Sequence, residues 1–170
     1  MKLKPWIATL ALAAATAVSM PAMATDLGVL DDEPDVITRT FTSPGLTFAD
    51  DYFFDLVIAS DVSGSATNLK LSLNGIQFLD IANFSLSLYD SSNTFIGAAT
   101  LVDGSYQLND VFLQAGNDYY FRVAGTVTGW AGGSYSFSAV AQPIPEPETY
   151  ALMLAGLGAL GYMARRRRQG

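Results

Sequence analysis

The chain has 170 residues, of which half are hydrophobic and 15% are charged, so it has room for one globular domain plus targeting segments. It contains no Cys and no His, which excludes disulfides, thiolate nucleophiles, His-based catalytic triads and the usual zinc sites. The formal net charge of −7 argues against a nucleic-acid-binding protein, because such a protein needs a basic surface.

Residues 1–24 have the organisation of a secretory signal peptide. Lys2 and Lys4 give a positive start, and an apolar run rich in Ala and Leu follows. Ala22 and Ala24 supply the small side chains that signal peptidase accepts, so we expect cleavage directly after Ala24. An uncleaved N-terminal anchor is the alternative, which the shortness of the apolar run disfavours.

Residues 25–35 are acidic and rich in turn-forming residues. Clustered carboxylates are ligands for Ca²⁺, but the D-x-D-x-D-G spacing is absent. We therefore expect a solvated, flexible leader in front of the folded domain. Segment 25–145 as a whole carries 14 acidic and 3 basic residues, a net charge of −11 that repels anionic membranes and nucleic acids.

Apolar and polar residues alternate with a period of two over 36–142. Leu69, Leu71 and Leu73 alternate with polar neighbours, as do Tyr135 and Phe137. Such alternation is typical of antiparallel strands with one face in a core. We predict an all-β antiparallel sandwich, jelly-roll-like or immunoglobulin-like, with a barrel as the alternative. The predicted strands lie near 36–42, 52–59, 66–73, 83–90, 94–100, 105–108, 111–113, 118–126 and 134–141.

Turn-forming dipeptides separate these strands, among them Asn74-Gly75 and Asp103-Gly104. The stretch 118–123, a Gly-rich turn and the stretch 134–137 together read as a closing hairpin. This hairpin resembles the last one of the pre-peptidase C-terminal domains, which are small secreted β-sandwiches. The likeness implies a fold and carries no function.

Few residues of this domain suit catalysis. Lys70 alternates with leucines on the polar side of a predicted strand, where a desolvated catalytic amine is not expected. Asp50, Asp51 and Asp55 are the densest internal acids, and we expect Asp50 to order the turn into its strand by accepting backbone N–H bonds. A carboxylate pair for glycoside hydrolysis is a minor alternative. We therefore assign no catalytic residue and predict a non-enzymatic protein.

A calcium site is a second interpretation of the internal acids. Asp50 or Asp51 with the loop acids Asp103, Asp110 or Asp118 would supply the hard oxygen ligands that Ca²⁺ prefers. Calcium is thus the one cofactor that the sequence leaves open, and its ligands stay unassigned.

Trp130 lies in a Gly-rich segment, 125–133, that predicts a loop tip. An exposed indole stacks on sugar faces, and Tyr89, Tyr106 or Tyr119 is available to assist. The alternative is a Trp that folds back over the sheet edge. Trp130 is therefore the candidate ligand-binding residue, with carbohydrate as its ligand.

The C-terminus carries a second apolar run, 149–164, followed by four consecutive Arg residues. As a helix, this run spans roughly 24 Å, short of a typical bilayer core of about 30 Å. We predict a single transmembrane helix with the Arg cluster in the cytoplasm, which places segment 25–145 on the periplasmic side. A buried core helix with a solvated basic tail is the alternative, but the run is apolar all round.

A Pro-Glu-Pro tripeptide, an apolar segment and an Arg cluster, in this order at the end of the chain, resemble the PEP-CTERM sorting signal of Gram-negative proteins over about 143–168. The same tail is also called an ice-binding protein C-terminal domain, but ice binding needs regular Thr arrays and the Thr residues here are scattered. The resemblance implies general secretory export, transient retention in the inner membrane, recognition by exosortase, and then release or transfer to the cell surface. The sorting motif comprises Pro145, Glu146, Pro147, Arg165, Arg166, Arg167 and Arg168.

The segment Phe48-x-Asp50-x-Tyr52-x-Phe54 is similar to the short pattern of the FxDxF family of PEP-CTERM proteins, with Tyr52 where the pattern has Phe. Members of that family are small exported domains of unassigned activity. The resemblance therefore transfers no catalytic residue to this chain.

These observations predict an exported β-sandwich with a structural or adhesive role in an exopolysaccharide or biofilm matrix, since PEP-CTERM proteins commonly accompany exopolysaccharide production. The alternative is a secreted carbohydrate- or calcium-binding module. The expected partners are signal peptidase and exosortase as processing enzymes, the inner membrane transiently, and exopolysaccharide, with no nucleic acid. Whether the tail is removed or kept as a permanent anchor stays open.

Overall fold

The computed structural model describes residues 23–144 and 147–167. The predicted signal peptide up to Ala22, together with Pro145, Glu146 and Arg168, lies outside the described residues. The described elements are β1 (Ala24–Val29), β2 (Asp35–Phe41), β3 (Thr47–Leu56), β4 (Ser60–Asn68), β5 (Leu71–Leu73), β6 (Ile76–Leu79), β7 (Ile81–Tyr89), β8 (Phe95–Ala98), β9 (Thr100–Val102), β10 (Ser105–Leu113), β11 (Gly116–Val127), β12 (Gly133–Pro143) and α1 (Pro147–Arg167).

Two five-stranded sheets make up the domain. Sheet A has the strand order β1-β3-β11-β7-β8, sheet B has the order β2-β12-β4-β10-β9, and β5 pairs with β6 in a separate hairpin. The pairs are antiparallel apart from β1 with β3, which is parallel. The predicted all-β antiparallel sandwich is therefore confirmed.

The core between the sheets is rich in aromatic side chains. Tyr52 of sheet A stacks on Phe137 of sheet B with ring centroids 4.4 Å apart, and Phe48 stacks on Tyr135 at 5.6 Å. All four side chains are 4% exposed or less. Aromatic side chains bury more apolar area than any other residues, so these contacts supply much of the hydrophobic stabilisation that a domain without disulfides requires.

The acidic segment 25–35 differs from the flexible leader that we expected. Its first half lies in β1, at the edge of sheet A, where Thr25 and Asp26 pair with Tyr52 and Phe53 of β3. Leu30, directly after β1, is 4% exposed and belongs to the core. Local acidity predicts solvation, but pairing with a distant strand decides the conformation, and β1 is part of the folded domain.

Two predicted turns are confirmed as tight hairpins. Asn74 and Gly75 join β5 to β6 with φ angles of 51° and 79°, and Asp103 and Gly104 join β9 to β10 with 49° and 82°. Positive φ at both positions is the signature of a two-residue type I′ turn, which Asn-Gly and Asp-Gly favour.

The predicted continuous strand over 66–73 is wrong. Strand β4 ends at Asn68, and β5 belongs to the separate hairpin. The side chains of Leu69, Leu71 and Leu73 are 42%, 43% and 52% exposed rather than buried. The alternation correctly predicts strand conformation, but it wrongly places the apolar face in the core. Nothing in the local pattern shows that β5 pairs only with β6 and is not part of sheet B.

The tail contains a helix, α1, which includes the predicted helix at 149–164. In the described part of the chain, α1 included, no helix combines the length and apolar character that a membrane crossing requires. The prediction of a transmembrane helix is corrected accordingly, because the apolar run is short and polar residues occupy both ends of the helix.

Candidate functional site

The internal acid Asp50 lies in the core. β3 places Phe48, Asp50, Tyr52 and Phe54 on its inner face, since side chains two residues apart in a strand point to the same side. Asp50 is only 3% exposed. The prediction that Asp50 orders a turn is wrong, because the residue lies within the strand and its carboxylate meets the opposite sheet.

A chain of hydrogen bonds joins the two sheets at Asp50. Tyr135 of sheet B donates its hydroxyl hydrogen to Asp50 Oδ2 at 2.6 Å. The hydroxyl oxygens of Tyr52 and Tyr135 are 2.6 Å apart, so Tyr52 donates to Tyr135. Arg39 Nε lies 3.6 Å from the same carboxylate oxygen and supplies the opposite charge. A buried polar network satisfied in this way specifies one packing of the two sheets.

The two tyrosines of this network have raised pKa values and stay protonated near neutral pH. Burial raises the pKa of Tyr135 far above its ordinary value of 10.0, and the hydrogen bond to Asp50 raises it further. Burial also raises the pKa of Tyr52 above its ordinary value of 10.0. Groups with such pKa values are poor acids and bases near neutral pH. The network is therefore structural, and it gives the F-x-D-x-Y-x-F segment a role in the core.

The neighbouring acid Asp51 lies on the outer face of sheet A. Arg122 of β11 binds it with two hydrogen bonds, Nε to Oδ1 at 2.7 Å and Nη2 to Oδ2 at 2.8 Å. These bonds raise the pKa of Arg122, so the pair stays ionised. The guanidinium carbon also lies 5.3 Å from the ring centroids of Tyr89 and Tyr120. A bidentate pair flanked by two rings fixes the positions of β3, β11 and β7 on this face.

An aromatic row crosses the same face of sheet A through Phe53, Tyr120, Tyr89 and Phe95. Successive ring centroids are 5.0, 5.0 and 5.8 Å apart, and the rings of Tyr120 and Tyr89 are within 8° of parallel. The stacked rings of Tyr120 and Tyr89 each cover one face of the other. Tyr89 lies at the end of β7 away from Ile81, which pairs with Val127 just before the Trp130 loop, so Tyr89 does not assist a sugar site at Trp130.

The calcium site that the sequence left open is not assembled. The carboxylates of Asp50 and Asp51 are already engaged by Tyr135 and Arg122. Across residues 23–144 and 147–167, no group of three or more His, Cys, Asp and Glu side chains is arranged to hold a metal ion. The loop acids instead occupy backbone positions with positive φ, such as Asp103 in its type I′ turn.

Trp130 is exposed at the loop between β11 and β12. Its side chain is 72% exposed, although its ring forms a T-shaped contact with the ring of Phe78, with centroids 5.8 Å apart and planes at 79°. The main chain around it is held firmly: the N–H groups of Trp130 and Ala131 donate to the carbonyls of Gln77 and Phe78 at 2.9 and 2.8 Å. Of the two predicted arrangements, the exposed one is present, on a rigid backbone.

Asp80 connects this loop to the neighbouring strands. Its carbonyl accepts hydrogen bonds from the N–H groups of Thr128 and Gly129 at 3.0 and 3.1 Å. Its carboxylate accepts one from Asn68 Nδ2 at 3.0 Å and lies 3.5 Å from Lys70 Nζ. Partial burial alone would raise the pKa of Asp80, but the Asn68 bond and the Lys70 charge outweigh it, so the pKa lies below its ordinary value of 3.8.

A groove of about 630 Å³ opens beside Asp80. Its polar groups come from Asn68, Lys70, Asp80, Asn83 and Tyr106. We call this groove, together with loop 128–132, the Trp130 end. Sequence reasoning missed the groove because its walls come from three separate stretches of chain. The remaining lining residues are Ile81, Ala82, Phe84, Leu101 and Gly104.

Among the tyrosines expected to assist Trp130, Tyr106 alone lines the groove. Its ring packs edge-on against Phe84 with centroids 5.6 Å apart. Tyr119 packs on Phe54 at 5.8 Å and donates its hydroxyl hydrogen to the carbonyl of Gln114 at 3.3 Å. Tyr119 is thus part of the packing around β3 and does not line the groove.

The sorting motif lies at the end of the chain, where the described residues include its helical part. Pro147 is the first residue of α1, a position that suits proline because the first helical N–H has no partner within the helix. Arg165 lies in the last turn of α1 and is exposed. The segment 143–168 matches the family described as the PEP-CTERM protein-sorting motif. The chain carries a PEP-CTERM sorting signal.

This match confirms the predicted PEP-CTERM resemblance and implies exosortase as the processing partner. The matched residues are confined to the tail and do not reach the F-x-D-x-Y-x-F segment, so membership of the FxDxF family stays a prediction.

Two solved structures are similar to the domain. One is the pre-peptidase C-terminal domain of a collagenase from Bacillus anthracis, with 16% identity, 71% of this chain and 97% of that chain covered, and a TM-score of 0.47. The other is PliG, a periplasmic inhibitor of g-type lysozyme from Aeromonas hydrophila, with 12% identity, 72% and 100% coverage, and a TM-score of 0.35. Likenesses this distant carry no argument about function. No curated protein matches the chain.

Proposed function

We propose that this chain is a non-enzymatic surface or matrix protein that exosortase sorts during export. The single observation that carries this proposal is the match to the sorting motif at residues 143–168. In this proposal the domain emerges on the periplasmic side of the inner membrane and then reaches the cell surface or the extracellular space. There it has a structural or adhesive role in an exopolysaccharide or biofilm matrix.

The exposed apolar surface of α1 supports a role for the tail at the membrane. Leu152, Leu154, Leu157 and Leu160 are each between 59% and 74% exposed. A continuous apolar surface of this kind is unfavourable in water and is stabilised by an apolar environment. The folded sandwich, by contrast, carries most of the acidic residues and gains nothing from contact with anionic lipid.

Processing at both ends is the first expected result. In a host that contains exosortase, the surface fraction should contain a protein whose intact mass lacks residues 1–24 and the part of the tail beyond the Pro-Glu-Pro motif. Changing Pro145, Glu146 and Pro147 together to Ala should keep the tail attached and leave the protein in the membrane fraction.

The matched control for this experiment is Gln142→Ala, since Gln142 is exposed and immediately precedes the matched segment. This variant should be processed like the unchanged protein. Recovery of the full-length protein from the cytosol with both ends intact would contradict the proposal.

A second candidate function, carbohydrate binding, is favoured by the exposure of Trp130. Sugar stacking requires a ring with a free face on a preorganised backbone, and Trp130 has both. Position adds to this argument: β12 begins beside the Trp130 loop and runs 11 residues to Pro143, where the tail follows. Since a strand rises about 3.3 Å per residue, the start of β12 beside the Trp130 loop lies about 35 Å from the tail.

Truncation of Trp130 should therefore reduce glycan binding without loss of stability. On a glycan array, Trp130→Ala should bind roughly tenfold more weakly or worse, as is typical when an aromatic anchor is removed. The unfolding temperature should be unchanged because the side chain is mostly exposed. Phe112→Ala is the control, since Phe112 is 53% exposed on β10, outside the groove lining. Equal binding by the two variants would contradict this candidate function.

A further inference from the structure

The groove at the Trp130 end contains polar groups that the fold does not use. The side-chain oxygen of Asn68 is buried and has no hydrogen-bond partner, although the amide nitrogen of the same residue donates to Asp80 and to the Ile81 carbonyl. A buried acceptor without a partner is destabilising. A ligand that lets the Asn68 side chain turn toward the groove and accept a hydrogen bond would remove that penalty.

Donors and acceptors occur together in the groove. Lys70 Nζ donates, and its side chain is 64% exposed, while the carboxylate of Asp80 accepts. The hydroxyl of Tyr106 both donates and accepts. A ligand that satisfies this set must itself carry several groups that donate and accept. Hydroxyl groups on a sugar ring meet that requirement, and the apolar side chains of Phe84 and Leu101 face the C–H surfaces of such a ring.

Charge decides the class of sugar. Segment 25–145 has a net charge of −11, and Lys70, the basic residue in the groove lining, is already paired with Asp80. An acidic polysaccharide would be repelled at long range and would find no unpaired cation in the groove lining. The volume of about 630 Å³ lies within the range of roughly 300–1,000 Å³ that small-molecule sites occupy.

We infer that the groove lined by Asn68, Lys70, Asp80 and Tyr106 binds a neutral polysaccharide, with Trp130 stacking on an adjacent part of the same chain. Asp80 joins the two parts, because it accepts hydrogen bonds from Asn68 in the groove and from Thr128 and Gly129 in the loop. This inference rests on the carbohydrate-binding candidate function and extends it from one residue to a two-part site.

Calorimetric titration of the full-length protein in detergent tests the inference. The probes are neutral α- and β-linked gluco-, manno- and galacto-oligosaccharides and one oligouronate. We expect saturable binding of at least one neutral oligosaccharide and weaker binding of the oligouronate. Tyr106→Phe should weaken binding roughly tenfold through the loss of one hydrogen bond. Ala82→Trp should abolish binding by filling the groove, and Phe112→Ala should bind normally.

The outcomes separate this inference from the function on which it rests. If Trp130→Ala abolishes binding but Ala82→Trp and Tyr106→Phe bind normally, Trp130 is a sugar site and the groove inference is overturned. If the unchanged protein binds none of the probes, or binds the oligouronate most tightly, the inference fails on ligand class. Thermal unfolding of each variant checks folding, and Tyr106→Phe keeps the test decisive if Ala82→Trp does not fold.

Discussion

Replacing Gly132 with Ala is expected to lower the free energy of unfolding by about 2–6 kcal/mol. Gly132 has a φ of 119°, and an added Cβ would lie 1.9 Å from the carbonyl oxygen of Phe41. A non-glycine residue held at such a φ destabilises the folded state by about 1–3 kcal/mol. Overpacking adds about 1–3 kcal/mol more, because the atom that must move belongs to the main chain of β2. Urea unfolding of the full-length protein, followed by tryptophan fluorescence, measures the change.

Gly75→Ala is the matched control. Gly75 also has a positive φ, 79°, but an added Cβ would meet nothing within 4 Å. This variant should therefore lose only about 1–2 kcal/mol through strain. Equal losses in the two variants would show that the close approach between Gly132 and β2 is absent from the protein in solution.

The expected effect of Gly132→Ala extends to the Trp130 end. The carbonyl of Gly132 accepts a hydrogen bond from the N–H of Asp80 at 3.2 Å, and the N–H of Gly132 donates to Gly129 at 3.0 Å. Both bonds depend on the close packing of this loop against β2 and the β6–β7 connection. A shift of Gly132 would therefore move Trp130 relative to the groove, and stability and ligand binding should fall together in this variant.

Features that depend only on residues adjacent in the sequence are predicted correctly. The Asn74-Gly75 and Asp103-Gly104 turns are examples, because the preference for positive φ belongs to the dipeptide itself. The sorting motif is another, since a processing enzyme recognises it as a linear segment.

Features that depend on distant partners were predicted less well. The acidic residues of β1 gave no strand signal, since β1 is ordered by pairing with β3, about 27 residues further along the chain. Asp50 was predicted at a turn because a core position is unfavourable for a carboxylate unless partners satisfy it. Those partners, Arg39 and Tyr135, belong to sheet B and are identified only once the sheets are paired.

The groove shows the same limit for the candidate site. Tyr106 and Trp130 were both singled out as aromatic residues, but nothing local placed them at one end of the sandwich. Asn68 and Asp80 gave no signal, because each is an ordinary polar residue until the hydrogen bond between them forms. Alternation along one strand shows which side chains share a face, whereas a groove between strands depends on register and topology.

Alkaline pH should unfold the protein steeply through Tyr52 and Tyr135. Both pKa values are raised above 10.0, chiefly by burial, whereas in the unfolded chain both groups have the ordinary value. The folded state therefore keeps protons that the unfolded state releases above pH 10. The contribution of these two tyrosines to the free energy of unfolding is fully present below about pH 10. It falls as pH rises above this value, by about 1.4 kcal/mol per pH unit for each tyrosine. The loss should approach about 3 kcal/mol per unit.

Substitution within the network tests this origin of the pH dependence. Tyr135→Phe should lose about 1.5–3 kcal/mol at pH 7, because the buried carboxylate of Asp50 loses the hydrogen bond at 2.6 Å. Above pH 10 its remaining stability should fall less steeply than that of the unchanged protein, by about 1.4 kcal/mol less per pH unit, since one of the buried phenols with a raised pKa is gone. Tyr106→Phe, outside the network, should keep the full slope. Urea unfolding at intervals from pH 7 to pH 12 measures both quantities. If Tyr135→Phe leaves the slope of stability against pH unchanged, ionisation of Tyr135 is not a cause of the alkaline unfolding.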